Sequence, residues 1–189
     1  MRVIAGKYGR RPLSALPGLD LRPTADRLRE TLFNVLTAGN PSALEGTVWL
    51  DLYAGTGAVG IEALSRGASK VYFVESSAGA ANLIRKNLRS LDIRSGFEII
   101  KNDVARSFRI LQASGVPVAF VFLDPPYAMQ KAYSETLQRL AETPVLTPSS
   151  VVIAEHEKRF DPGDTFGGLQ RYRTLKQGDA ALSFYRLMS

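Results

Sequence analysis

An α/β fold around a mostly parallel sheet is predicted by three observations. From Thr47 onward, short apolar runs alternate with segments of helical periodicity. A glycine-rich segment, Gly55-Thr56-Gly57-Ala58-Val59-Gly60, stands at the first passage from strand to helix. Near the carboxyl end the alternation stops, and two β-type runs follow one another across a turn.

Each element can be justified in order. Arg2–Ala5 and Arg11–Leu13, with Gly6 and Gly9 between them, predict a short hairpin, and Pro17-Gly18 a turn. After Pro23, Thr24 is expected to cap a helix whose Leu28, Leu32, Val35 and Leu36 keep helical spacing up to Gly39. Asn40-Pro41-Ser42 breaks the chain there. Residues 1–42 are too short to fold alone and are expected to be an extension on a main domain of residues 43–189. In that domain strands are predicted at Thr47–Leu52, Lys70–Val74, Phe97–Ile100, Val118–Leu123 and Val151–Ala154. Helices fall between them at Ala58–Ser65, Ala78–Leu91, Val104–Ala113 and Tyr133–Ala141. Arg171–Leu175 and Leu182–Leu187, joined at Gln177-Gly178-Asp179, predict the closing hairpin.

The glycine segment follows the first strand at Asp51-Leu52-Tyr53-Ala54, where a parallel sheet binds its ligands. Its glycines let the backbone turn tightly and approach a nucleotide-like group. Glu75 ends the next strand twenty residues past Gly55, where a carboxylate can accept hydrogen bonds from both hydroxyls of a ribose. To this point NAD and S-adenosylmethionine fit equally well. Asp51 adds negative charge near the loop, which suits a cationic amino acid moiety better than a pyrophosphate. Asp103 ends the third strand and can accept from an adenine amino group, although Asp before Val104 is also an ordinary helix cap. Together these acids favour S-adenosylmethionine, with Asp51, Tyr53, Gly55, Thr56, Gly57, Glu75, Asp103 and Val104 as its expected contacts.

Asp124-Pro125-Pro126-Tyr127 follows the strand Val118–Leu123. An amino group on a nucleobase is a poor nucleophile because its lone pair is delocalised into the ring. Hydrogen bonds from its two N–H groups to the Asp124 carboxylate and the Pro125 carbonyl would free that lone pair. Pro125 and Pro126 restrict the backbone, so the acceptors stand in place before substrate arrives. Tyr127 can stack on the base. The four residues are read as the catalytic segment of a methyl transfer, which needs positioning more than a strong base. A plain Asp-Pro turn is the bland alternative.

Composition narrows the chemistry. The 45% hydrophobic and 22% charged content is that of an ordinary globular protein. No apolar run nears the roughly 20 residues of a membrane span, and the first residues lack the apolar core of a secretory signal, so a cytoplasmic protein is expected. The absence of cysteine removes thiolate zinc sites and the cysteine attack that initiates base-carbon methylation, and no metal is expected. His156, the single histidine, reads as a strand-end residue without chemistry. The net charge of +6 is concentrated in residues 1–22, where Arg2, Lys7, Arg10, Arg11 and Arg22 face Asp20 alone. That points to a polyanion, with a solvated basic arm as the bland alternative; because the rest of the chain points the same way, Arg2, Lys7, Arg10 and Arg11 are the expected phosphate contacts.

With these residues in view, the chain resembles the RsmD-type 16S rRNA (guanine-N2)-methyltransferases nearly end to end. The resemblance runs through Arg2-Val3-Ile4-Ala5-Gly6-Lys7-Tyr8-Gly9-Arg10-Arg11 and the stretch Arg22–Asn34, then Asp51–Gly57 and Asp124–Tyr127. Many amino-methyltransferases share the last two; the amino-terminal stretches point to this family. Leu21 stands where a polar residue such as Thr is expected. The resemblance implies the Rossmann-like class I methyltransferase fold: a seven-stranded sheet with an antiparallel last strand, helices on both faces. It implies a guanine of 16S rRNA as target, in the small ribosomal subunit or its assembly intermediate. A monomer is expected. Arg22–Arg29 would pack over the cofactor edge, with Arg27 facing cofactor or base, or else pairing with Asp26 or Glu30. An NAD-dependent oxidoreductase, a non-catalytic RNA-binding module, and a small-molecule or protein-glutamine methyltransferase are the competing readings.

Overall fold

The computed structural model describes residues 1–15 and 23–188, with the side chains of 23–25 left aside. The turn at Pro17-Gly18 and residues Asp20, Leu21 and Arg22 lie outside the described residues. Helix α1 spans Pro23–Leu36 and starts one residue before Thr24, so Thr24 lies in the first turn rather than capping it. Proline serves well there because the first turn needs no N–H donor.

Five parallel strands follow: β1 (Val48–Leu52), β2 (Lys70–Val74), β3 (Phe97–Ile100), β4 (Val118–Leu123) and β5 (Leu146–Glu157). Between them run α2 (Ala58–Ser65), α3 (Ala78–Ser90), α4 (Val104–Ser114) and α5 (Gln130–Ala141). The closing hairpin is β7 (Leu169–Gln177) and β8 (Ala180–Leu187), with β8 antiparallel to β5. A two-residue strand β6 (Thr165–Phe166) pairs antiparallel with β7 and makes the sheet eight-stranded rather than seven. Two residues carry too little pattern to be read from sequence.

The strand order is β3-β2-β1-β4-β5-β8-β7-β6. It reverses direction between β1 and β4, and ligands of open α/β sheets bind at that point, beyond the carboxyl ends of the strands. Alternate side chains feed two cores. On one face Trp49, Phe73, Phe122 and Ile153 pack under α1, α2 and α3. On the other, Leu50, Val74, Val121 and Ala154 pack under α4 and α5. Trp49 lies stacked between Phe33 of α1 and Phe120 of β4, with ring centroids 5.3 and 5.1 Å away. Gly60 belongs to the same packing, for a Cβ there would stand 2.3 Å from the Phe73 ring.

The amino-terminal residues belong to the first core. Val3 and Leu13 are buried in it with Leu28, Leu32 and Phe33 of α1. The expected hairpin forms around one bridge, Arg2 opposite Pro12, with Val3 N donating to Arg11 O (3.0 Å), Arg10 N to Val3 O (2.9 Å) and Leu13 N to Met1 O (3.1 Å), while the N–H groups of Ile4, Ala5, Lys7 and Tyr8 turn toward α2. The buried Glu62 carboxylate accepts from Ile4 N (2.7 Å) and Ala5 N (3.0 Å) and pairs with Arg66 Nε (2.7 Å).

Candidate active site

The loop after β1 turns through positive φ at Tyr53 (60°), Gly55 (54°) and Gly57 (76°). It is tied at both ends. Asp51 Oδ2 accepts from Gly60 N at 2.9 Å, linking the strand to the first turn of α2. Glu75 Oε2 accepts from Gly55 N at 2.8 Å and its Oε1 from Ser77 N at 2.7 Å, linking the loop to the end of β2. A cavity of about 1080 Å³ opens over these strand ends, lined on this side by Tyr53, Gly55, Thr56, Glu75, Asp103 and Val104. The cradle fits a ribose cofactor. A Cβ on Gly55 would meet nothing closer than Tyr53 O at 3.9 Å, so that flank of the loop faces open space. Each Glu75 oxygen uses one lone-pair direction on the backbone, which leaves the carboxylate able to accept hydroxyl donors as well.

Two expected contacts, Gly57 and Arg27, stand away from the cavity wall, and Asp51 has a second task. Gly57 does not line the cavity; it caps α2, and a Cβ there would press on Ile84 and Phe73 in the core. Asp51 lines the cavity, and its second task is structural. Burial, with Asp124 and Glu75 nearby, pushes its carboxyl well above the usual range. Arg27 is exposed and absent from the cavity wall, whereas Arg29 lines it, 6% exposed. Two residues along a helix turn the side chain by about 200°, so only one of the two can face inward. Asp103 holds both of its foreseen positions: it caps α4 by accepting from Arg106 N (2.8 Å) and stands at the cavity wall.

Asp124, Pro125, Pro126 and Tyr127 line the opposite wall. Loss of solvent around the Asp124 carboxyl pushes it up to about 7. Tyr127 is 42% exposed at the mouth, where a planar group can reach its ring. The buried Tyr133 of α5 reaches behind the segment, its hydroxyl donating to the Glu155 carbonyl at 2.9 Å with the Pro125 carbonyl at 3.4 Å. Glu155, beside Asp124 on the wall, is a residue that sequence reasoning missed, as are Arg29 and Tyr133. Glu155 carried a signal all the same: like Asp51, Glu75 and Asp124 it is an acid at the end of an apolar β run. Burial and the nearby Asp124 raise the Glu155 carboxyl well above its usual range, while Arg29 opposes the shift.

The foreseen RNA contacts divide. Lys7 and Arg10 are exposed, as is Arg2, whose carbonyl accepts from Arg29. Arg11 is instead engaged with the end of α3, its guanidinium donating to the Ser90 carbonyl and, at 3.2 Å, to Leu91 O. A cation at a helix carboxyl end satisfies the free carbonyls there. His156 is buried within β5, its Nε2 2.9 Å from Ser183 Oγ, in keeping with a structural role.

The Glu75 loop and the Asp124–Tyr127 segment share one cavity at the switch point of a 3-2-1-4-5 sheet, and the chain is a class I methyltransferase using S-adenosylmethionine. Relatives of this chain agree. The Ribosomal RNA small subunit methyltransferase D of Haemophilus influenzae is 37% identical over 84% of this chain and 79% of its own. YlbH of Bacillus subtilis is 32% identical over 98% of both chains. The solved structure of yhhF from Escherichia coli is similar at a TM-score of 0.80 and 26% identity, covering 100% of this chain and 98% of that one. Residues 1–186 match the family described as "Conserved hypothetical protein 95", and the chain belongs to it.

Proposed function

We propose that this enzyme methylates the exocyclic N2 amino group of a guanine in 16S rRNA of the small ribosomal subunit or its assembly intermediate. One observation carries the reading: Asp124–Tyr127 and the Glu75 cradle open into a single cavity. The small-subunit rRNA activity named for the Haemophilus influenzae relative supplies the substrate class. When bound, S-adenosylmethionine supplies an electrophilic methyl on a sulfonium, so the transfer removes a charge instead of creating one. Glu75 would hold its ribose and Asp103 its adenine edge. Asp124 and the Pro125 carbonyl accept the two hydrogens of the target amino group and direct its lone pair at the methyl. Asp124 then stands ready to take the proton that the nitrogen sheds. Tyr127 stacks on the base.

Residues 1–42 form the RNA-contacting extension in this reading, with Arg2, Lys7 and Arg10 on phosphates. Arg11 is withdrawn from that set by its bonds to α3. A ribosomal substrate would be met in the cytoplasm, and no helix among the described residues is long and apolar enough to cross a membrane. The test is mass spectrometry of 16S rRNA nucleosides from cells lacking this protein. One N2-methylguanosine should disappear, return with the wild-type enzyme, and not return with Asp124→Ala. An unchanged nucleoside profile would overturn the reading.

A further inference from the structure

Two carboxyl groups stand side by side on the acceptor wall, and the proposed mechanism uses one. The parallel register between β4 and β5 pairs Phe122 with Ile153 and Leu123 with Ala154. One step further it brings Asp124 beside Glu155, on neighbouring strands about 4.8 Å apart. Strand alternation puts both on the face of Phe122 and Ile153, beneath α1, and both line the cavity. Among the described residues neither carboxylate has a hydrogen-bond or ion-pair partner. Arg29 closes the group from α1: it lines the same cavity, its positive charge acts on Glu155, and its buried Nε has no partner. The buried Arg29 Nε without a partner, facing two half-buried carboxyl groups, marks a place where a ligand completes the bonding.

The required ligand carries two adjacent donors. Adenine presents its amino group beside a bare ring nitrogen, and so does cytosine; each would set that lone pair against the lone pairs of Glu155. Guanine alone carries an amino group flanked by a ring N–H. We propose that Glu155 selects guanine by accepting its ring N1–H while Asp124 and the Pro125 carbonyl accept the two hydrogens of the 2-amino group. The inference rests on guanine N2 being the target. The charge of Arg29 opposes the upward shift of the Glu155 carboxyl and so favours its accepting form.

The test compares guanine with 2-aminopurine, which keeps the 2-amino group but has a bare N1. Small-subunit particles are reconstituted with 16S rRNA carrying one or the other at the nucleotide that the wild-type enzyme methylates. Wild type should favour guanine in kcat/KM on the order of 100-fold, because the 2-aminopurine complex leaves Glu155 unpaired. In Glu155→Gln the preference should collapse to below about tenfold, since the amide can donate to a bare N1. Affinity for S-adenosylhomocysteine, measured by calorimetry, should be unchanged in the variant, which shows an intact cradle. An undiminished preference in Glu155→Gln, or equal losses on both bases, would overturn the role of Glu155. Failure of the wild type to methylate guanine at all would overturn the parent reading instead.

Discussion

In the proposed reaction Asp124 works as a carboxylate, and its surroundings resist that form. Burial pushes it up to about 7, so single-turnover methyl transfer should rise with pH through that region and fall about tenfold per unit below it. Asp124→Asn should be slower on the order of 100-fold or more, with that limb removed and cofactor affinity little changed. Stability carries the opposite sign. Between the carboxyl's ordinary value of 3.8 and about 7, the empty folded enzyme binds more protons than the unfolded chain. Its stability therefore falls as pH rises through that window, and urea titrations of Asp124→Asn should show a shallower fall. A rate profile flat from pH 5.5 to 8 would remove Asp124 from the chemistry. Glu75 gives the second expectation at this scale. Glu75→Ala loses the ribose acceptor and frees the N–H groups of Gly55 and Ser77 as well. S-adenosylhomocysteine should bind about 1.5–3 kcal/mol more weakly by calorimetry, with Glu75→Gln between the two.

Among the elements, the amino-terminal arm is held by several buried side chains, Glu62, Ser65, Asn87 and Arg29, of which Glu62 makes the charged contact with its backbone. Glu62 gathers the N–H groups of Ile4 and Ala5 and the guanidinium of Arg66. Glu62→Gln turns a donor toward groups that are themselves donors, and should cost about 3 kcal/mol or more in urea unfolding. Limited proteolysis should then cut first within residues 1–15, whereas an unchanged cutting pattern would show that the bonds to Ser65, Asn87 and Arg29 hold the arm without Glu62. Element boundaries were legible where hydrophobic period was strong: α2, β2, β3 and β4 begin and end at the residues that periodicity indicates. They were not legible where pairing, not period, decides. β5 runs from Leu146 through the exposed Pro148 and Ser149, because Leu146 pairs with Val118 across an irregularity in the ladder. α5 starts at Gln130, three residues before its first apolar signal at Tyr133, because the Pro126–Met129 turn leads directly into it.

For the whole molecule, ligand binding and stability are linked. S-adenosylhomocysteine at 100 times its dissociation constant should add about 2.7 kcal/mol to unfolding, while NADH at the same concentration should add nothing. Stabilisation by NADH instead would contradict the cofactor assignment. RNA binding should report the arm. Replacing Lys7 and Arg10 with Gln should flatten the salt dependence by roughly 0.7–0.9 in slope for each lost phosphate contact. Arg11→Gln should lower the unfolding midpoint instead, because its guanidinium serves the carbonyls at the end of α3. An unaltered salt slope in the double variant would move the RNA surface elsewhere. Arg171 would be a poor place to look, because it is already held by Asp161 and Asp164.

The glycine loop and the acids at the ends of β1 to β4 could be read from the chain alone, because each is specified within a few residues. Glycine tolerates positive φ where the strand must turn into a helix, and an acid that directly follows an apolar β run must sit at a sheet edge. The Asp-Pro-Pro-Tyr segment is local in the same sense, since its prolines set their own backbone. Which of these ends meet is not local. The reversal of strand order between β1 and β4 places the cradle beside Asp124, and the β4–β5 register adds Glu155. The phase of α1, set by burial of Leu28, Leu32 and Phe33, turns Arg29 inward and Arg27 out. These placements follow from how apolar faces pack against one another across the chain, and no short stretch of sequence holds that information.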